Sequence, residues 1–348
     1  MSTTSESILN WGIIATGSIA GSFAQGVRAG KTGRVVAVAS RSAAAAGAFA
    51  QKHDVGRAYE GYDKLLADRD VQAVYIATPH PMHALWAIQA ARAGKHVLVE
   101  KPIGMNGAQA RAIVEAPAAS GVFLMEAFMY RCHPQMAEVL ELVRAGALGK
   151  VLMVHAEFSF FADGDGSGRL FAQELGGGGI LDVGCYPVSF ARAIAGAAVG
   201  KLFDDPVDVR AVGTLHKPTG VDAFTTACLR FESGILATCT TGVKMPGGSS
   251  ARIVGTEGSL EMAQPWLPGR GGAPVQLILR REHGTRSETL VVPCEKDLYA
   301  YEADEVAASL AQRQSPAMSW EDSVGNMHTL DRWRQEIGLV YDCERVKT

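Results

Sequence analysis

Val97 to Pro102 reads V-L-V-E-K-P, three apolar residues followed by Glu100, Lys101 and Pro102. That pattern predicts a buried strand leaving a sheet at a charged pair. Pro102 lacks a backbone donor and restricts Lys101 to extended or turn geometry, so the ammonium projects from the strand tip. Strand tips of an open α/β sheet are where ligands bind, although the same residues also fit a surface salt bridge. A second candidate pair is Asp182 and Tyr186, in I-L-D-V-G-C-Y-P-V after the run Gly176-Gly177-Gly178-Gly179. At i and i+4 of a helix they share a face, and the glycines let a backbone or a flat ligand come close. The plain alternative is that Asp182 caps its own helix and Tyr186 is a packed phenol.

Leu9 to Ala15 is an apolar run that enters Thr16-Gly17-Ser18-Ile19-Ala20, after which Phe23 and Val27 continue at helical spacing. Strand, tight turn and helix start resemble a dinucleotide fingerprint with Ala15, Gly17 and Ala20 at the glycine positions. Gly17 would let the backbone approach a pyrophosphate at the positive end of the helix; a chance glycine in an ordinary turn is the other reading. The second strand, Arg34 to Ser40, ends in Ser40-Arg41-Ser42, where an acid would bind an adenosine ribose. An arginine between hydroxyls suits a 2′-phosphate and points to NADP rather than NAD, against the alternative of Ser42 as a helix N-cap beside a solvated Arg41. Thr78-Pro79-His80-Pro81-Met82-His83 follows the strand Ala73 to Ala77, so three loops share one rim. His80 and His83 at i and i+3 have no carboxylate or cysteine with them, which argues for turn and helix-start roles and against a metal.

The elements that position these residues form two patterns. Up to Glu126, strands alternate with helices at Ala43 to His53, Tyr62 to Ala67, His83 to Ala93 and Gly107 to Ala116, the last stopped by Pro117. Alternation of this kind means a doubly wound parallel sheet. From Ala127 the chain carries an amphipathic helix to Gly146, then strands at Val151 to Phe161, Val207 to Thr214, Ala223 to Phe231, Gly234 to Gly242, Ala251 to Gly255, Ser259 to Ala263, Val275 to Arg280 and Thr289 to Val292. Short turns between them predict a large, mostly antiparallel sheet. The expected fold class is α/β: residues 1–126 as a Rossmann dinucleotide-binding domain and 127–348 as an α+β substrate-binding and dimerisation domain. Helices at Tyr301 to Leu310 and Trp320 to Tyr341 would pack on the sheet or back on the first domain.

The 348 residues are 47% apolar and 20% charged with a formal net charge of -3, which gives no field for nucleic acid or a membrane surface and favours small-molecule chemistry. The six cysteines lack any C-x-x-C pair, as expected of reduced thiols. With a polar N-terminus and no long apolar run, the expectation is a cytoplasmic protein without signal peptide or transmembrane span.

Together, Gly17 with Ile19, T-P-H-P-M-H at Thr78 to His83, Glu100-Lys101-Pro102 and G-G-G-I-L-D-V-G-C-Y at Gly177 to Tyr186 resemble the glucose-fructose oxidoreductase / inositol dehydrogenase (Gfo/Idh/MocA) family of NAD(P)-dependent dehydrogenases. The likeness spans nearly the whole chain, with its motifs in family order. Tyr186, where many members have histidine, together with Met125-Glu126-Ala127, Gly220-Val221-Asp222 and Gly255-Thr256-Glu257-Gly258, is closer to the branch holding dimeric dihydrodiol dehydrogenase and NADP-dependent D-xylose 1-dehydrogenase. The resemblance implies NADP bound by Gly17, Ser18, Ile19, Ser40, Arg41, Thr78, Pro79, His83, Glu100 and Lys101. It implies Lys101, Asp182 and Tyr186 as the catalytic set: a lysine reaching nicotinamide ribose and substrate hydroxyl, a positioning carboxylate and a proton donor or acceptor. It also implies a sugar or trans-dihydrodiol substrate in an interdomain cleft and a homodimer through the C-terminal sheet. The stretch Ala162 to Arg169 matches none of the motifs and stands as a candidate rim of that cleft.

On this reading a hydride moves between a secondary alcohol carbon or sugar hemiacetal and the nicotinamide while Tyr186 handles the hydroxyl proton. A free phenol has a pKa near 10, and the Lys101 ammonium is expected to lower it. Two other readings remain: a regulator or scaffold that senses the dinucleotide without chemistry, and a tight-cofactor oxidoreductase passing hydride between two sugars.

Overall fold

The computed structural model describes residues 8–163, 168–270 and 272–344, so Met1 to Ser7 and part of the Ala162 to Arg169 stretch lie outside the described residues. The first sheet is built from β1 (Leu9–Ile14), β2 (Gly33–Ser40), β3 (Arg57–Glu60), β4 (Ala73–Ile76), β5 (His96–Glu100) and β6 (Leu124–Ala127). All six pair in parallel in the order β3-β2-β1-β4-β5-β6. Between them run α1 (Ser18–Ala29), α2 (Ala43–His53), α3 (Tyr62–Leu66), α4 (His83–Arg92) and α5 (Gly107–Ser120). The strand order reverses between β1 and β4, and their carboxyl ends open the crevice where such sheets hold ligands.

The strands form because their side chains have somewhere dry to go on both faces. β4 is buried at all four positions, and Phe23 of α1 stacks on Tyr75 of β4 with ring centroids 3.9 Å apart, while Trp11 meets Phe23 edge-on. Local signals start and stop the helices. Ser42 accepts the Ala45 N–H at the head of α2, and Asn106 accepts that of Gln109 at the head of α5. Pro117, expected to end α5, instead lies within it; the helix runs to Ser120 and stops at Gly121, φ +70°, whose N–H returns to the Pro117 carbonyl. A left-handed glycine closes the last turn, whereas a proline near that end removes only one donor. β3, absent from the sequence reading, is a four-residue edge strand that alternates half-buried and exposed, with no apolar run to announce it.

The second sheet consists of β7 (Val151–Ser159), β8 (Pro206–Leu215), β9 (Asp222–Phe231), β10 (Leu236–Gly242), β11 (Ser249–Gly255), β12 (Gly258–Met262), β13 (Val275–Arg281) and β14 (Arg286–Val292). Its order is β14-β13-β12-β11-β7-β10-β9-β8, antiparallel throughout except that β7 inserts parallel to β10. α6 (Pro134–Arg144) precedes it, and α7 (Cys185–Ala198), buried along almost its whole length, covers one face. Val212, Phe224 and Leu236 remain exposed.

The last two helices return to the first sheet. α8 (Leu298–Ser309) lies so close to α1 that a Cβ on Gly26 would come within 2.4 Å of the Tyr299 Cβ. From α9 (Trp320–Glu336), Asp331 accepts the Gly107 amide at 2.8 Å at the start of α5. Among the described residues no helix is long and apolar enough to cross a membrane.

Candidate functional site

A cavity of about 690 Å³ opens between the two sheets. One wall belongs to the parallel sheet. Gly17 caps α1 without any side-chain hydrogen bond, so the first-turn amides stay open, and a Cβ at Gly17 would meet nothing within 4 Å. Ser18 and Ile19 line the cavity beside it, as do Thr78, Pro79 and His83 from the loop after β4. The Thr78 hydroxyl is buried and has no partner among the described residues. Uncapped amides at the positive end of a helix, open space above a glycine and an orphaned hydroxyl at a strand tip fit a dinucleotide.

His83 serves as a brace. Its Nδ1 lies 2.9 Å from the Pro102 carbonyl and its Nε2 2.8 Å from that of Thr78, so it packs between the Thr78 loop and the Lys101-Pro102 tip and donates to one of the two carbonyls. Burial pushes its pKa down to about 4, which leaves the ring neutral with one proton to donate. His80 and His83 stack edge-on, and among the described residues no group of three metal-ligating side chains gathers. Ser40 is buried at the end of β2 and Arg41 is exposed just beyond it; neither lines the cavity. The sheet register sets Glu60 of β3 opposite Ser40.

The other wall comes from the run Gly176 to Gly179 and α7. Ile180–Gly184 forms a wide π turn rather than the continuous helix expected from the glycines onward. Asp222 explains where it begins: its Oδ2 accepts the Ile180 N–H at 2.8 Å, and a Cβ on Gly178, φ +103°, would strike the same carboxylate. Burial raises the Asp222 carboxyl to about 7. Asp182 and Tyr186 both line the cavity, together with Lys101. The Lys101 Nζ donates to the Asp182 main-chain carbonyl at 2.8 Å and sits 5.2 Å from the Tyr186 ring centroid. The Asp182 carboxylate itself takes Arg169, Nη2 to Oδ1 at 2.7 Å. Burial would raise this carboxyl, but Lys101 and Arg169 outweigh it and hold it below the usual range.

Tyr186 corrects one expectation. Burial pushes its phenol well above the ordinary value, and Cys185, Glu100 and Asp182 act in the same direction, so the net shift is opposite to the one expected from Lys101. The Lys101 Nζ is bonded to a carbonyl and lies over the ring, and the phenol oxygen lies 3.5 Å from the Met129 sulfur. Glu100, also buried, accepts the Tyr75 hydroxyl and the Lys101 N–H, and burial raises it. It therefore faces the floor of the site more than a ligand.

Sequence reasoning missed Met129, Phe158, Arg169 and the Asp297 to Tyr299 segment at the head of α8, all of which line the same cavity. Arg169 closes the glycine-bearing stretch expected as a rim of the cleft, but nothing in that stretch points to its ion pair with Asp182. The others lie in connectors and strands with no chemical pattern of their own.

A family model described as "Oxidoreductase family, NAD-binding Rossmann fold" matches residues 9–128, and the GFO/IDH/MocA C-terminal domain model matches residues 136–261. The trans-1,2-dihydrobenzene-1,2-diol dehydrogenases of Mus musculus and Danio rerio are each 33% identical to this chain, covering 97% and 96% of it and 99% and 98% of their own lengths. A solved 3-ketoreductase from Actinomadura kijaniata, in complex with NADP and TDP-benzene, superposes with a TM-score of 0.84 at 28% identity over 95% of this chain and 98% of that one.

Proposed function

This chain belongs to the GFO/IDH/MocA oxidoreductase family, and from that premise we propose that it transfers a hydride between NADP and a CH–OH carbon of a sugar or trans-dihydrodiol. The observation that carries this reading is convergence: the uncapped start of α1, Lys101, and the Asp182 and Tyr186 pair from the opposite domain all line one cavity. Residues 1–126 hold the dinucleotide and 127–348 the substrate side. Gly17, Ser18 and Ile19 face the pyrophosphate with backbone amides, and Ser40 and Arg41 take the adenosine end. Thr78, Pro79, His83 and Glu100 shape and brace the strand tips below the nicotinamide.

NADP supplies the nicotinamide that accepts or gives the hydride. Tyr186 carries the proton: in its resting phenol form it gives a proton to the oxygen of a carbonyl being reduced, and for oxidation it must first lose that proton. Lys101 places a positive charge beside the developing alkoxide. Asp182 accepts from a neighbouring substrate hydroxyl and so fixes which carbon faces the cofactor. The NADP-bound ketoreductase and the dihydrodiol dehydrogenases support this substrate class. The exposed Val212, Phe224 and Leu236 support a homodimer through the open sheet face, in a cytoplasmic protein.

Absorbance at the nicotinamide band, on mixing protein and NADP with a panel of aldoses and trans-diols, tests the reading. Steady turnover of at least one class is expected; dinucleotide binding with no turnover across the panel, in either direction, would leave a sensor or scaffold instead.

A further inference from the structure

Arg169 belongs to none of the motifs behind the family resemblance, yet it makes the most direct contact with the Asp182 carboxylate. It stands on a single turn, Arg169–Phe171, entered through Gly168 at φ +93°. Two backbone bonds fasten this turn to the glycine run: Gly178 N–H to the Leu170 carbonyl at 2.8 Å and Gly177 N–H to that of Ala172 at 2.9 Å. A Cβ on Gly177 would come within 2.7 Å of the Leu170 oxygen, so only glycine lets the two segments close up. Arg169 and Asp182 therefore ride on one small frame within the second domain.

The groups around the carboxylate divide the work. Lys101, from the tip of β5, commits its Nζ to the Asp182 main-chain carbonyl. His80, from the loop after β4, has its Nε2 3.5 Å from Arg169 Nη1 and its Nδ1 3.3 Å from the Gly176 carbonyl. A guanidinium cannot accept, so Nε2 carries the lone pair, the ring proton sits on Nδ1, and His80 is neutral. Glu100 adds a like charge from below. Arg169 is thus the cation bonded to the carboxylate itself among the described residues, and its side chain is 42% exposed while that of Asp182 is 10% exposed.

We propose that Arg169 is a positioning residue for Asp182: it clamps the carboxylate at the cleft and keeps it anionic, ready to accept from a substrate hydroxyl. The proposal rests on the reading of Asp182 as a substrate-positioning carboxylate. Removing the guanidinium takes away the charged hydrogen bond to the carboxylate and one of the two cations that offset its burial, leaving Lys101 as the other, so its proton affinity rises.

Titration of the full chain carrying ¹³C-carboxyl aspartate, with the Asp182 signal assigned by its loss in Asp182→Asn, reads this without any substrate. Arg169→Gln should raise the Asp182 midpoint by about one pH unit or more, the usual scale for losing a paired arginine, and Arg169→Lys should restore most of the difference. An unmoved midpoint in Arg169→Gln, in a variant that melts like the parent, overturns the proposal. With an active substrate, the acid limb of kcat/KM should move by the same amount, and Arg169→Gln should add nothing in an Asp182→Asn background. A moved titration beside an unmoved pH profile keeps the clamp and removes Asp182 from substrate binding, so the two readings fail separately.

Discussion

The two walls of the cleft offer a ligand opposite kinds of surface. On the parallel-sheet side the donors are vacant: first-turn amides above Gly17 and the unpartnered Thr78 hydroxyl. On the other side the polar groups are mostly engaged among the described residues: Asp182 with Arg169, Asp222 through Oδ2 with the Ile180 amide, and the Gly177 carbonyl with the Tyr341 hydroxyl at 2.6 Å. A backbone surface with open donors recognises what all dinucleotides share. A surface of interlocked side chains selects by shape and by which hydroxyl can displace or join an existing pair. Lys101 carries charge across the cleft, following directly on β5 and bonded to the Asp182 carbonyl, while His80 reaches across from the loop after β4 to the Gly176 carbonyl and Arg169.

Breaking the Lys101 bridge should have the largest effect. Lys101→Met is expected to lower turnover by about a hundredfold, the scale of a lost acid/base or charge partner, with NADP affinity changed far less; steady-state kinetics beside a fluorescence titration checks it. Gly17→Val strikes one wall alone. The backbone there has φ -71° and a Cβ meets nothing within 4 Å, so the fold should tolerate the side chain while the space for a pyrophosphate fills. NADP Kd should rise about tenfold, roughly 1.4 kcal/mol, with Tm unchanged. Arg41→Ala is milder because the arginine is exposed: NADP binding should weaken about fivefold, near 1 kcal/mol for an exposed ion pair, and NAD binding should not change. Equal losses for both dinucleotides would mean that Arg41 does not read the 2′-phosphate.

The smallest effect concerns the joint between the walls. Glu126 of β6 accepts the Ile103 N–H at 2.8 Å through Oε1, and burial pushes it up to about 8 against the Ser323 hydroxyl and the Ile103 amide, which act to lower it. A carboxyl whose folded pKa exceeds its unfolded one favours folding when protonated. That contribution is therefore lost as pH rises from about 5 to about 8. Glu126→Gln keeps the acceptor and removes the charge, so its Tm should stay flat over that range while the parent's falls by a few degrees. Parallel curves would show that Glu126 does not titrate there.

Much of the fold was legible because its signals are local. Alternating apolar runs and turns gave the parallel sheet, and the strands after Val151 gave the large antiparallel one. What escaped was set by contacts distant in sequence. β3 is an edge strand defined by its neighbour β2, the parallel pairing of β7 with β10 depends on a long connection, and Pro117 is overridden by Gly121. The same division holds at the site. Lys101, Asp182 and Tyr186 sit in punctuated motifs and were singled out; Arg169 and Tyr299 reach the cavity only through folding. The direction of the Tyr186 shift was misjudged for a related reason, since spacing places Lys101 nearby but does not reveal the burial that raises the phenol.

The most direct test is Tyr186→Phe measured at saturating NADP, where only the step after binding is read. Loss of the phenol oxygen should leave NADP affinity intact and reduce turnover by about a hundredfold or more in both directions. Turnover within about threefold of the parent would contradict the account, because the proton would then be moving through another group.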